Sequence, residues 1–212
     1  MSKKILLLLI CFVFALTAAC KSERERAREA REKKNAVPEI KRNVKPVADD
    51  EIAVIEMQQP AYGTIKIELY SNIAPKMVAR FKELAKEGVY NGTTFHRINP
   101  QVIQGGDPLT KDDDPKNDGG GGSDKPDVPA EFSDIPFDSG ILGAAREQEF
   151  DSANSQFFIM LTREPGFDQR YTIFGKVIEG MSNVRTIGGV NPKDGERPVE
   201  NIVVKSVTIQ PK

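Results

Sequence analysis

The sequence predicts a mainly β fold, in which antiparallel strands form a closed barrel or a sandwich covered by two helices. From about Ile52 onward, short runs of alternating apolar and polar residues are separated by Gly, Pro and Asn. Few stretches in this region have helical spacing, and no repeat of fixed period is visible. The hydrophobic fraction is 39%, which is enough for a sizeable core.

The strands are predicted from a hydrophobic period of two. Ile65, Ile67 and Leu69 fall on one face of such a run, whereas Lys66 and Glu68 fall on the other. Similar runs cover residues 53–57, 156–161, 171–177 and 202–209.

Two helices interrupt the strands. The first is predicted to begin near Pro75 and to end before Gly88, because the apolar residues between them recur at helical spacing: Val78, Phe81, Leu84 and Ala85. A shorter helix is predicted at about residues 181–187, before two glycines.

The N-terminal residues 1–19 predict a secretory signal peptide, with a basic start, an apolar stretch and small residues before a cleavage point. The apolar stretch is shorter than the roughly 20 residues of a membrane span. Residues 16–20 resemble a bacterial lipobox, although Thr17 stands where an aliphatic residue is usual. We therefore expect lipidation of Cys20 and a location in the bacterial cell envelope, facing outside the cytoplasm, in the periplasm or at the cell surface. Plain secretion and a retained anchor are the alternatives.

Residues 20–51 are predicted to join the lipidated cysteine to the domain as a charged, flexible tether, because they contain almost no large apolar residues. A basic surface for anionic lipid headgroups is the alternative for this stretch. The folded domain is assigned to residues 52–212.

Composition excludes several kinds of chemistry. A balance of 30 Lys and Arg against 31 Asp and Glu argues against a nucleic-acid partner. One His and two Cys cannot supply a usual zinc site. In the Asp-rich loop, Lys116 and Lys125 stand where a calcium loop needs oxygen ligands. We expect no metal and no cofactor, and a reaction without a covalent intermediate.

Motifs in the domain resemble those of the cyclophilin-type peptidyl-prolyl isomerases: FHRI at 95–98, QGGD at 104–107, GILGAAR at 140–146, SQFFI at 155–159 and YTIFGKV at 171–177. The resemblance covers about residues 52–210. It implies a closed eight-stranded antiparallel β-barrel capped by two α-helices. It also implies isomerisation of X-Pro bonds in proline-containing segments. Together with the predicted signal peptide, we expect a monomer that acts on exported proteins.

The same resemblance assigns the site. Arg97 would be the catalytic residue, as a fixed donor to the prolyl nitrogen of the twisted amide. His96 would be structural. The substrate-binding residues would form the proline pocket, hold peptide carbonyls or pair with the peptide backbone: Val102, Gln104, Ala145, Arg146, Gln156, Phe158, Phe167 and Tyr171.

Three departures from the family pattern affect this assignment. The loop from Arg97 to Gln104 is one residue shorter than usual, and Gln101 stands where a pocket Phe is expected. Gly166 stands where cyclosporin-sensitive members carry Trp. An alternative function is therefore a catalytically weak, peptide-binding or chaperone-like lipoprotein that keeps the cyclophilin groove.

Overall fold

The computed structural model describes residues 23–34, 37–112, 114–190 and 195–212. It divides into two units, Met1–Ala36 and Val37–Lys212. In the first unit, helix α1 (Glu23–Lys34) has the highly charged sequence ERERAREAREKK. The predicted signal peptide, residues 1–19, and Cys20 lie outside the described residues. Within the described ranges, no helix is both long and apolar enough to cross a membrane.

The second unit is built on one sheet of eight strands: β1 (Glu51–Met57), β2 (Thr64–Leu69), β3 (Arg97–Ile98), β4 (Val102–Gly105), β5 (Ile141–Ala144), β6 (Phe157–Met160), β7 (Ile173–Glu179) and β8 (Val204–Pro211). Their order in the sheet is β3-β4-β6-β5-β7-β2-β1-β8. Every pairing between neighbours is antiparallel. The prediction of a mainly β fold with antiparallel strands is confirmed.

The prediction of a closed barrel is wrong, because the sheet is an open half-barrel with β3 and β8 at its edges. Next to these edges, Thr94 and Val203 form a single isolated bridge. Strand β3 has only two residues, so it offers too few backbone groups for a continuous ladder with β8.

The two predicted helices of this unit are present as α2 (Pro75–Lys86) and α3 (Met181–Gly188). Helix α2 begins at Pro75, and its first turn has no cap from its own N-cap residue. The Glu131 carboxylate instead accepts hydrogen bonds from the Lys76 and Met77 N–H groups, at 3.1 and 3.0 Å. The apolar face of α2 enters the main core, where Phe81 lies edge-on to Phe157 with 5.5 Å between ring centroids.

Residues 37–50 precede the sheet and contact it. The Lys41 N–H donates to Phe132 O at 2.9 Å, and its ammonium donates to Ile73 O at 2.6 Å. Further along, Asp49 accepts a hydrogen bond from Lys82 Nζ at 2.7 Å. Specific contacts therefore fix the path of this segment along the second unit.

A second apolar cluster lies apart from the main core and carries the candidate site. Its buried members come from several strands and loops: Tyr70, Ile73, Val102, Phe137, Ile141, Phe158, Met160 and Ile173. Phe167 and Tyr171 pack against it and are partly exposed. The cluster therefore supplies an apolar surface that is open on one side.

Candidate active site

A cleft of about 610 Å³ opens above the second apolar cluster. It is lined by most of the residues that the sequence assigned to the site: Arg97, Val102, Gln104, Ala145, Arg146, Phe158, Phe167 and Tyr171. Gln156 instead lines an adjoining cavity of about 300 Å³. Gln104, Ala145 and Arg146 border both cavities, so the two form one extended groove.

The apolar part of the cleft is built around the ring of Phe158, which is only 3% exposed. Its ring stacks on Phe137 at 5.9 Å between centroids. It lies edge-on to Phe167 at 5.6 Å and to Tyr171 at 5.5 Å. Aromatic neighbours on several sides therefore fix the orientation of this ring.

Gly143 makes room for the Phe158 ring. The two residues are directly opposite each other on β5 and β6. A Cβ atom at Gly143 would lie 2.3 Å from Phe158 Cζ, which is far inside van der Waals contact. The ring can occupy this position only because residue 143 has no side chain.

Arg97 is the first residue of β3 and is paired in register with Gln104 of β4. Its Nη1 donates to Gln104 Oε1 at 3.1 Å. Gln104 Nε2 then donates to Gln156 Oε1 at 2.9 Å. Gln156 Nε2 donates to the backbone carbonyls of Gly119 and Gly121, at 2.9 and 2.7 Å. A relay of side-chain amides therefore links the guanidinium to the loop that contains Gly119 to Gly122.

On its other side, Arg97 forms an ion pair through Nε with the Glu196 carboxylate. The second oxygen of that carboxylate accepts from Asn99 Nδ2 at 2.8 Å. Although burial raises the pKa of Glu196, the hydrogen bonds from Asn99 and Arg97 lower it more, so the pKa lies below its usual value. The carboxyl group is therefore ionised at neutral pH.

The shortened loop is a tight turn between β3 and β4. The Asn99 N–H donates to Val102 O at 3.0 Å. The Asn99 side-chain oxygen accepts from the N–H groups of Gln101 and Val102, both at 2.9 Å. Val102 is buried beside the cleft, whereas Gln101 does not line it. The cleft therefore has no aromatic side chain from this turn.

Arg146 is held by its own loop and by residues 170 and 171, which precede β7. Its guanidinium lies between the rings of Tyr171 and Phe150, with Cζ 4.9 and 5.1 Å from the ring centroids. It also donates to Arg170 O at 2.9 Å. The Ala145 N–H donates to Gln156 O at 3.0 Å. The Arg146 side chain and the Ala145 N–H are therefore already engaged in contacts within the protein.

His96 precedes Arg97 in the chain, lines the same cleft and is 7% exposed. Neither ring nitrogen has a hydrogen-bond partner among the residues that the structure describes. Burial lowers the pKa of His96 below its usual value. The imidazole is therefore neutral at physiological pH.

No group of three or more His, Cys, Asp or Glu side chains within the described ranges is arranged to hold a metal ion. The polar groups that face the cleft are donors and acceptors in fixed positions. Such a site can bind and orient an amide, and it can stabilise a redistribution of charge without moving a proton.

Sequence reasoning missed four residues that line the cleft, Asp118, Gly119, Glu196 and Arg197. It also missed Asn99, which contacts Glu196. Arg197 forms an ion pair with Asp118 across the opening. Glu196 follows Arg97 by 99 residues, and no periodicity or motif in the sequence joins them. For Asn99 a local signal existed, because Asn before Pro favours a turn.

Comparisons with known proteins agree with this geometry. The family model "Cyclophilin type peptidyl-prolyl cis-trans isomerase/CLD" matches residues 53–209. A probable peptidyl-prolyl cis-trans isomerase of Brucella suis is 47% identical over 130 residues, which are 59% of this chain and 66% of that protein. The match thus spans just under two thirds of that relative's length.

Two further matches extend over whole proteins. A peptidyl-prolyl cis-trans isomerase of Schizosaccharomyces pombe is 38% identical over 164 residues, which are 74% of this chain and 100% of that protein. A crystal structure of a Cryptosporidium parvum cyclophilin-type isomerase, obtained in the presence of the dipeptide Ala-Pro, superposes with a TM-score of 0.68 at 29% identity. The superposition covers 76% of this chain and 99% of the Cryptosporidium chain.

Proposed function

Because this chain belongs to the cyclophilin-type peptidyl-prolyl cis-trans isomerases, we propose that it catalyses rotation about X-Pro bonds in peptide segments. The observation that carries the proposal is the position of Arg97. Its guanidinium lines the same cleft as the buried Phe158 ring, and Gln104 holds it from one side. The Ala-Pro dipeptide used with the Cryptosporidium relative supports a proline-containing ligand.

The reaction needs no proton transfer and no covalent intermediate. Rotation of an amide meets a barrier of about 18–20 kcal/mol, because its conjugation is broken in the twisted state. The prolyl nitrogen then recovers its lone pair and becomes a hydrogen-bond acceptor. A donor fixed beside this nitrogen stabilises the twisted state more than the planar one.

Arg97 is suited to be this donor, because its guanidinium is permanently charged and planar. One preorganised donor contributes about 2.7–4 kcal/mol, judged from oxyanion holes. A 10⁵-fold acceleration requires about 7 kcal/mol. Arg97 would therefore supply about half of the stabilisation.

The apolar floor supplies a second contribution. A planar amide is more dipolar than a twisted one, so an environment of low polarity favours the twisted state. Phe158 and its aromatic neighbours Phe167 and Tyr171 provide such an environment. We propose that these three rings and Val102 contact the proline ring of the substrate.

The amide relay favours Gln104 over Gln156 as the side chain that holds a substrate carbonyl. Both hydrogens of Gln156 Nε2 are used by the carbonyls of Gly119 and Gly121. Gln104 Nε2 donates one hydrogen to Gln156, so its second hydrogen remains for the peptide. Gln104 would therefore contact the substrate, and Gln156 would orient Gln104. The peptide backbone would pair with the main chain near Ala145 and Arg146.

The test is the cis-trans exchange rate of an Ala-Pro-Phe peptide, measured by two-dimensional NMR with the purified chain and with Arg97→Ala. We expect the parent to accelerate exchange. The variant should lose about 10²–10³-fold of that acceleration and still bind the peptide. Equal exchange by the two proteins would refute the role of Arg97.

A second function is favoured by one observation. Gln101 does not line the cleft, so the proline pocket has no aromatic wall at this position. A protein with this groove could bind proline peptides without useful catalysis, as a chaperone-like binder. Peptide binding together with an exchange rate equal to that in solution would support this function, and Gln101→Phe would then be the next variant.

Export and lipid anchoring are part of the same proposal. They are supported by the basic start, the apolar residues 5–19 and the small residues before Cys20. The protein would act as a monomer on proteins that fold outside the cytoplasm, in the periplasm or at the cell surface. Labelling cells with an alkyne fatty acid tests this, because Cys20→Ala should abolish incorporation. Retained label in Cys20→Ala would refute lipidation at this residue.

A further inference from the structure

Glu196 contacts three consecutive residues at the start of the β3–β4 hairpin. Its backbone carbonyl accepts from the Ile98 N–H at 2.6 Å. Its carboxylate pairs with Arg97 Nε and accepts from Asn99 Nδ2. The backbone contact places residue 196 beside β3, and the Asn99 contact fixes the rotation of the carboxylate. The acid is therefore held in place independently of Arg97.

Arg97 is then held from two sides. Nε is engaged by Glu196 and Nη1 by Gln104. Within the described residues, Arg97 Nη2 donates no hydrogen bond. Since the guanidinium is planar, two contacts on different nitrogens define its plane and leave Nη2 to donate to a ligand.

These contacts matter because Arg97 has little else to restrict its rotamers. Its side chain is 44% exposed, and it makes no aromatic stacking contact in the described residues. A long side chain at such a position has many rotamers, and catalysis by a fixed donor requires that it occupy one of them before the peptide twists.

A carboxylate could instead compete with the substrate for the guanidinium. The geometry argues against this, because Arg97 still reaches Gln104 and lines the cleft while it is paired with Glu196. The ion pair uses the nitrogen nearest to the side-chain stem and leaves a terminal nitrogen for the peptide. The contact orients Arg97 and does not withdraw it.

We propose that Glu196 is a positioning residue for isomerisation, which fixes the guanidinium of Arg97 through Nε. This inference rests on the proposed function of Arg97. It assigns a role in the reaction to the segment before β8, which supplies both Glu196 and Arg197 at the opening of the cleft.

The experiment compares the full chain with Glu196→Ala, Glu196→Gln, Arg97→Ala and the double variant Arg97→Ala/Glu196→Ala. Peptide exchange at saturating peptide and peptide affinity are measured separately. We expect Glu196→Ala to lower the saturating exchange rate by about tenfold and to change the affinity less than threefold. Glu196→Gln keeps an oxygen that can accept from Nε, so it should recover part of the rate.

The double variant separates positioning from a general loss of structure. Because Glu196 acts through Arg97, removing it should have no further effect once Arg97 is absent. A tenfold loss in the Arg97→Ala background would overturn the proposal, and so would an exchange rate in Glu196→Ala equal to or above that of the parent. Glu200→Ala is the matched control, because this carboxylate is exposed in the same segment. Its exchange rate should equal that of the parent.

A second measurement does not depend on activity. The Nε–H proton of Arg97 should give an NMR signal protected from exchange with water in the parent, and this protection should be lost in Glu196→Ala. If the parent fails to accelerate peptide exchange, the proposed function fails, and the Nε–H signal alone still decides whether Glu196 holds Arg97. An unprotected signal in the parent would overturn the positioning role.

Discussion

Replacing Gly143 with alanine tests whether the floor of the cleft depends on close approach of the β5 backbone. The new Cβ would meet Phe158 at 2.3 Å from Cζ, 2.6 Å from Cε2 and 2.9 Å from Cε1. Ordinary carbon–carbon contacts are about 3.5–4.0 Å, so the ring or the strand must move by roughly 1 Å. Phe137, Phe167 and Tyr171 surround the ring and oppose that movement.

The expected cost follows from this geometry. Overpacking of a core typically destabilises by about 1–3 kcal/mol, which lowers the Tm of a protein of this size by about 2–12 °C. A ring displaced by about 1 Å into the proline site should also reduce peptide exchange by as much as 10²-fold. Calorimetry and NMR exchange measure the two effects.

The control for this substitution is Gly189→Ala. Its Cβ would meet backbone oxygens no closer than 3.5 Å, and Gly189 has a φ of −85° that any residue adopts. We expect its Tm to equal or exceed that of the parent. If Gly143→Ala kept both the Tm and the exchange rate of the parent, the steric explanation of the floor would be refuted.

Two further predictions concern Asp49 and Gly166. Burial raises the pKa of Asp49, but hydrogen bonds from Lys82 and Ser71 lower it more, so its pKa in the folded state lies below the usual 3.8. The stabilisation that the Asp49 carboxylate provides is thus present above pH 3.8 and is lost as pH falls through the folded-state pKa. Asp49→Asn should lower the free energy of unfolding by about 1 kcal/mol at pH 7 and by almost nothing near pH 2. Urea unfolding at both pH values measures this difference. Because Gly166 stands where cyclosporin-sensitive members carry Trp, we expect the parent to bind cyclosporin weakly, and a submicromolar dissociation constant in calorimetry would contradict this. Gly166 is exposed and its Cβ would meet only the Glu164 carboxylate, so Gly166→Trp should fold normally and tighten that binding.

The elements with a clear hydrophobic period could be predicted from the sequence. Ile65, Ile67 and Leu69 are all fully buried, as expected for one face of a strand. The helix that begins at Pro75 ends at Lys86, two residues before Gly88. In both cases the residues that the local pattern places on the apolar face are buried, so the local sequence was sufficient to predict the element.

Closure of the barrel could not be predicted in the same way. It depends on the length of β3, which ends where the Asn99 side chain turns the chain towards β4. The resemblance to a family gave the number of strands but not this local ending. A turn held by one side chain has no periodic signal, and a difference of a few residues decides whether an edge ladder forms.

The candidate site was predictable where a motif carried it and unpredictable where a distant segment completed it. Arg97, Gln104 and Phe158 lie in motifs that the sequence displays directly. Glu196 reaches Arg97 only because β3 lies beside the segment before β8. That contact depends on tertiary structure alone, so a single sequence contains no evidence for it.

The open half-barrel has a consequence for a protein whose proposed substrates are incompletely folded chains. An unpaired strand edge is a template on which such chains can add a strand and aggregate. Here the outer edge of the first half of β8 is already occupied by residues 91–93 in irregular structure. The Val204 N–H donates to Thr93 O at 2.8 Å, its carbonyl accepts from the Gly92 N–H at 2.8 Å, and the Val207 N–H donates to the Asn91 side chain at 3.3 Å. The gap in the ladder therefore does not present residues 204–207 of β8 to an incoming strand, which shortens the edge on which such chains could add.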